Sequence, residues 1–185
     1  MKHEGTKRLE TERLILRPFA LEDAEDMFNG WASDPRATRY LTWPPHASIN
    51  DSLDIINLWL GLYPDPHHYV WALELKETSR VVGSLGVVYH DDDIESMELG
   101  YCLTPHYWGL GLMTEALGAA VDFLFGRVGA RRLQARHDLR NPGSGRVLQK
   151  RGFVYEGTRR QGDLNNTGIY DAAFYGLLNP AADTQ

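Results

Sequence analysis

The chain has 185 residues, 43% hydrophobic and 24% charged, the proportions of a soluble globular protein that fits one compact domain. A single cysteine, Cys102, excludes an internal disulfide framework and a cysteine-rich zinc site, and is consistent with a reducing compartment. The net charge of −6 argues against nucleic acid as the main partner and favours cationic ligands. Residues 1–8 lack the apolar stretch of a signal peptide, and no run reaches the ~20 apolar residues of a membrane span. A cytoplasmic protein with no membrane partner is expected.

In chain order, residues 14–18 read as a short strand closed by Pro18. Leu21, Ala24, Met27, Phe28 and Trp31 then recur at helical spacing, with Glu22 and Asp23 in the favourable first turn. Pro35, Pro44 and Pro45 mark a loop. Ser48-Ile49-Asn50-Asp51 resembles a capping box and opens a helix closed by Gly61 or Tyr63-Pro64. Residues 69–75, 81–89 and 94–103 are three strand-like runs separated by turn residues, hence an antiparallel meander. A helix follows at about 111–125, its buried face marked by Leu112, Ala116, Leu117, Ala120, Val121 and Leu124. After a strand at 132–137, Asn141 as N-cap and Pro142 at the first helical position start the next helix, which Gly152 ends. Strands at 153–159 and 169–177 complete the set. This order predicts a mixed α+β fold, one domain over 9–179, with tails at 1–8 and 180–185.

The informative stretch runs from Glu98-Leu99-Gly100-Tyr101-Cys102-Leu103 through Thr104-Pro105-His106-Tyr107-Trp108 to Gly109-Leu110-Gly111-Leu112-Met113-Thr114-Glu115-Ala116. A strand enters a glycine-bearing turn that opens a helix. Gly109 and Gly111 let the backbone approach a ligand, and the orphan N–H groups and dipole of the first helical turn favour an anion there. Two glycines also suit a plain tight turn. No Gly-Lys-Ser/Thr follows, so this is not a Walker loop, and Thr114 breaks the dinucleotide-binding pattern. The locally basic stretch 127–151 is either a solvated face or a receiver for a phosphorylated ligand. His67-His68 and Asp91-Asp92-Asp93 are contiguous runs without the spacing of a ligand set, so no metal is expected.

The sequence resembles the GNAT superfamily of N-acetyltransferases, specifically the branch of ribosomal-protein N-terminal acetyltransferases (RimJ/RimL-like). His106-x-x-Gly109-x-Gly111 matches that family's Arg/Gln-x-x-Gly-x-Gly/Ala signature, with histidine replacing the first residue. The resemblance continues through Thr11-Glu12-Arg13-Leu14, Arg39-Tyr40-Leu41-x-Trp43, Asn141-x-x-Ser144, Leu148-x-Lys150-x-Gly152-Phe153, and Tyr175-x-Leu177-Leu178. It implies the acyl-CoA N-acyltransferase fold: a mostly antiparallel twisted sheet, splayed between its fourth and fifth strands, with helices on both faces. It also implies acetyl-CoA as cosubstrate and direct transfer to a primary amine in a ternary complex. The acceptor in that branch is the α-amine of a protein or peptide. The alternatives are a small amine (a polyamine, an amino acid or an aminoglycoside) and a non-catalytic acyl-CoA-binding module. A homodimer paired through the last strands is compatible with the resemblance.

Carried over residue by residue, the resemblance assigns the pyrophosphate cradle to His106, Gly109, Leu110, Gly111, Met113 and Thr114. Backbone of Tyr101, Cys102 and Leu103 lies beside the thioester and supplies the oxyanion donor, Asn141 contacts the pantetheine, and Arg146 reaches the phosphates. Tyr40 and Trp43 belong to the acceptor wall. Glu98 is the general base, acting through water. A strand-interior carboxylate is expensive unless paired or solvated, so the alternative is a glutamate facing solvent or bonded to an arginine. Leu148 stands where many family members carry a tyrosine acid, leaving Ser144 as proton donor. A helix-start serine that satisfies a backbone N–H is the plainer reading of Ser144. Cys102 has no activating partner and reads as a small buried hydrophobe.

Overall fold

The computed structural model describes residues 1–182, so part of the expected tail at 180–185 lies outside the described residues. Eight strands form one sheet: β1 (Leu9–Glu10), β2 (Leu14–Arg17), β3 (Val70–Leu75), β4 (Arg80–Asp91), β5 (Ser96–Leu103), β6 (Arg132–Asp138), β7 (Val154–Asn165) and β8 (Gly168–Leu178). Their spatial order is β1-β2-β3-β4-β5-β6-β8-β7. Every neighbouring pair is antiparallel except β5 and β6, which are parallel. A parallel pair needs a long crossover, and here it is α4 (Leu112–Phe123). The other helices are α1 (Ala24–Met27), α2 (Pro35–Thr38), α3 (Ile49–Leu62) and α5 (Pro142–Lys150). Among the described residues, no helix is long and apolar enough to cross a membrane.

The sheet splits in its middle. β5 and β6 pair only at Ser96↔Arg132, Met97↔Leu133 and Glu98↔Gln134. Beyond Glu98 each strand keeps its outer partner instead: β5 stays on β4 as far as Gly83↔Leu103, and β6 stays on β8 as far as Asp138↔Ala172. A bulge between Val87 and Tyr89 adds local twist to the β4–β5 ribbon. Two ribbons that diverge from three shared rungs leave a V-shaped gap. This is the splay expected between the fourth and fifth sequence-predicted strands, which are β5 and β6 once the short β1 is counted.

Each face of the sheet carries a core. On one, Leu117, Ala120 and Leu124 of the α4 region and Leu148 of α5 are buried with Leu16, Trp71, Met97 and Leu133 of the sheet. On the other, Phe19, Met27, Trp31 and Ile56 pack with Ala72, Val81 and Cys102. The helix caps follow the sequence. Asp51 accepts the Ser48 N–H at 3.0 Å, Asn141 Oδ1 accepts the Ser144 N–H at 3.4 Å, and Gly152 ends α5 at φ +83°.

Four local expectations change. The first predicted helix is a short α1 that widens to π geometry over Phe28–Ala32. The proline-marked loop contains α2, capped by Asp34, which accepts the Arg36 N–H at 2.8 Å. β7 runs to Asn165, six residues past the predicted end, because β8 pairs with it despite its polar sequence. Residues 1–8 are not a loose tail. Lys2 N–H donates to Val128 O at 2.7 Å, Gly5 N–H to Pro66 O at 2.7 Å, and Trp71 Nε1–H to Lys7 O at 2.7 Å. Backbone docking of this kind leaves no hydrophobic period to read in a polar segment.

Candidate active site

The gap between β5 and β6 frees one edge of β5. Thr104 N–H donates back to Val82 O on β4 at 2.8 Å, so the alternation of an antiparallel strand turns the amides of Tyr101 and Leu103 toward the gap. Two cavities open from it, one of about 410 Å³ toward α4 and α5, the other of about 470 Å³ toward α3 and the loop after α2. Tyr40, Leu41, Tyr101, Cys102, Asn141 and Ser144 line both. The two cavities therefore meet at these residues.

On the first side, the strand-to-helix turn has the conformation its glycines permit: φ is +80° at Gly109 and +81° at Gly111. A Cβ at Gly109 would meet no protein atom within 4 Å. Glu115 N–H is spent on Gly111 O at 3.0 Å, which leaves the amides of the preceding turn directed out of the helix N-terminus. Gly109, Gly111, Met113, Thr114 and Arg146 line this cavity, as does Lys150. Open backbone amides, a helix N-terminus and two cations fit the pyrophosphate of an extended ligand such as acetyl-CoA. His106 and Leu110 do not line it. The His106 ring sits edge-on to Tyr107, and Leu110 offers its carbonyl to Arg13 Nη1 at 2.9 Å. Arg13 also bonds Glu115 through Nε at 2.7 Å, and Thr11 Oγ1 donates to Glu115 at 2.5 Å. This brace on the cradle joins residues about a hundred positions apart and has no local sequence signal.

At the junction, Ser144 touches a group that the sequence reading used only for its backbone. The Tyr101 hydroxyl lies 2.9 Å from Ser144 Oγ and 3.1 Å from Ser144 O. Burial pushes the Tyr101 phenol well above its ordinary range, so it stays protonated. Leu148 is fully buried in the core. Cys102 is buried as well, and burial pushes its thiol up to about 12, which keeps it un-ionised.

The second side carries the acceptor candidates. Tyr40 and Trp43 line it, with Trp59, Met27 and Tyr170. Their loop is pinned from the β7–β8 turn, where Asn166 Nδ2 donates to Thr38 O at 2.8 Å and to Trp43 O at 2.7 Å. Two carboxylates, Glu98 and Asp138, lie on this wall. Glu98 is only 7% exposed; Arg136 pairs with one oxygen and Gln134 Nε2 donates to the other at 3.2 Å. Arg136 also pairs with Asp163. The bonded-arginine alternative for Glu98 is thus what the structure contains, on a carboxylate that still borders the cavity.

Asp138 is a different group. Burial alone would raise its carboxyl, but bonds from Arg140 and from Asn165 Nδ2 at 2.9 Å hold it down to about 2. It is a fixed anion with no use as a base near neutrality. Its folded value lies below the ~3.9 of an unfolded aspartate, so its stabilisation is complete above about pH 4 and is lost as pH falls toward 2. Asp138→Asn is expected to lower stability by roughly 2 kcal/mol at pH 7, a difference that vanishes by about pH 2 in acid-unfolding curves.

Comparisons with known proteins identify the family and the fold. The family model described as acetyltransferase (GNAT) domain matches residues 13–154. The protein called "Uncharacterized N-acetyltransferase YoaA" of Bacillus subtilis is 31% identical over 172 residues, 93% of this chain and 97% of that one. Among solved structures, RimL, a ribosomal L7/L12 alpha-N-protein acetyltransferase in complex with coenzyme A, superposes with a TM-score of 0.84 at 18% identity, covering 95% of this chain and 99% of that one. The microcin C7 self-immunity acetyltransferase MccE, in complex with acetyl-CoA and AMP, gives 0.79 at 20% identity, with 91% and 93% covered. At those identities the structures show a shared fold. The chain belongs to the GNAT acetyltransferase family and is an N-acetyltransferase that uses acetyl-CoA.

Proposed function

We propose that this enzyme acetylates the α-amino group of a protein or peptide by direct attack in a ternary complex. The observation that carries the reading is the pair of cavities meeting at Tyr101, Asn141 and Ser144, with the amide cradle on one side and Glu98 on the other. Acetyl-CoA supplies the acyl group as an activated thioester. The acceptor amine loses its proton to Glu98 through water, and its nitrogen bonds to the carbonyl carbon. A β5 amide, from Tyr101 or Leu103, stabilises the developing oxyanion. The carbon–sulfur bond then breaks as Ser144 delivers a proton to the departing sulfur. Ser144 is reprotonated in turn, through water, by the proton that Glu98 took from the amine. The protonated Tyr101 phenol holds the Ser144 hydroxyl in place.

Glu98 has both oxygens engaged, which suits a proton relay better than direct stripping of a lysine ammonium. An α-amine with a pKa of ~8 is about 10% neutral at pH 7, against about 0.04% for a lysine at ~10.4. The structural neighbour RimL, an alpha-N-protein acetyltransferase, supports the same reading. The AMP in the MccE complex favours the second reading, a small-molecule acceptor. Thiol release from acetyl-CoA, measured against N-terminal peptides, polyamines and aminoglycosides, decides between them. Turnover confined to free α-amine peptides is the expected result. Turnover confined to a small amine overturns the protein acceptor and keeps the chemistry.

The hydroxyl couple makes its own prediction. Tyr101→Phe is expected to lower kcat about tenfold with little change in the KM for acetyl-CoA, and Ser144→Ala to lower it somewhat more. The double variant should be no slower than Ser144→Ala alone, because the two groups act as one unit. Additive losses in steady-state kinetics would mean that Tyr101 does not act through Ser144.

A further inference from the structure

Outside the lining of both cavities, the fold gathers imidazoles and carboxylates from three separate segments. His3 comes from the docked N-terminal segment, His67 from the loop between α3 and β3, and His90 and Asp92 from the end of β4 and its turn. The rings of His3 and His67 are 4.2 Å apart, and His90 lies 5.2 Å from His3 and 5.6 Å from His67. One donor atom each from His3, His67 and Asp92 fall within 4.8 Å of one another. None of these residues lines either cavity of the acetyl-transfer site.

We infer that His3, His67 and Asp92 form a binding site for a divalent metal ion of the zinc type. Two imidazole nitrogens and a carboxylate oxygen are a donor set that borderline ions such as Zn²⁺ accept, with water completing the coordination. Each ring is already oriented through its other nitrogen, as the rings of ligating histidines are. His3 Nδ1 bonds the Tyr69 hydroxyl at 3.0 Å, and His67 Nδ1 bonds Asp65 Oδ1 at 2.9 Å. His3 Nε2 faces Asp92 Oδ1 at 2.9 Å. Tetrahedral zinc with bonds of about 2.0–2.1 Å sets its donors roughly 3.3 Å apart, so His3 and Asp92 need only spread slightly. His67 is 45% exposed, which leaves its ring room to adjust while it keeps its bond to Asp65. Asp65 and Asp92 together balance the charge of a dication beside neutral imidazoles. His3, by contrast, is 5% exposed and anchored, a fixed ligand around which the other two close. The ion would tie the N-terminal segment to the loop before β3 and the turn after β4.

This site is independent of the acetyl-transfer reading, and its test separates the two. The full-length protein, freed of metal by dialysis against a chelator, is titrated with Zn²⁺ by calorimetry beside His67→Ala and Asp92→Asn. Both replaced residues are at the surface, and circular dichroism confirms that the variants fold. The expected result is one ion per chain with a Kd of about 10 μM or tighter, weakened by about tenfold or more in each variant. Zn²⁺ at about ten times the wild-type Kd should raise Tm by several degrees in the wild type and by clearly less in the variants. Acetyl transfer, assayed without added metal, should be equal in all three proteins. Absence of saturable binding below about 100 μM, or equal affinity in all three proteins, would overturn the site, the second result assigning the ion to other histidines.

Discussion

Glu98→Gln is expected to lower kcat by about a hundredfold or more while leaving the affinity for acetyl-CoA within about twofold. The amide keeps the shape of the side chain and its bond with Gln134, but it cannot take a proton. Arg136 retains Asp163 as an ion-pair partner, so the substitution does not strand a buried cation, and Tm reports whether the fold is intact. Kinetics with the preferred acceptor, together with calorimetric binding of coenzyme A, provide the check. Unchanged turnover would remove Glu98 from the mechanism and leave it as the structural partner of Arg136. Asp138 could not replace it, since its carboxyl is held at about 2.

Gly109→Val is expected to raise the KM for acetyl-CoA by about tenfold or more. Two effects combine. The residue sits at φ +80°, where a β-branched side chain costs of order 1–2 kcal/mol, and its side chain would project into the cavity against no protein atom. Gly129 supplies the control, because it has nearly the same backbone, φ +78°, equally open surroundings, and lines neither cavity. Gly129→Val should lose comparable stability in thermal melts with no change in KM. Equal KM shifts in both variants would show that strain, rather than obstruction of the cradle, is responsible.

The two replacements rest on different kinds of information. Gly109 could be singled out from the chain because a strand, a glycine turn and a helix N-terminus are consecutive in sequence. Glu98 could be placed on a strand interior, but its partners could not be read. They follow from the parallel register that sets Glu98 opposite Gln134, which brings Arg136, two residues on and on the same face of β6, to the same carboxylate. His106 shows the opposite failure. The motif spacing is right, yet a 3₁₀ turn at Pro105–Tyr107 lays its ring against Tyr107 instead of the cavity.

The sequence by itself missed the short β1 and α2 but determined the order of the longer elements, the caps of α3 and α5, the left-handed Gly152 and the mixed α+β class. These depend on interactions within a few residues of each other: periodicity of 2 or 3.6, a side chain reaching the next turn, a φ that only glycine tolerates. Tertiary structure alone decided the Tyr101–Ser144 couple, the Arg13–Glu115 brace, the Asn166 pin on the acceptor loop and the meeting of His3, His67 and Asp92. Each joins residues tens of positions apart. Strand register and crossover set those distances, and many chains with the same local pattern could set them differently.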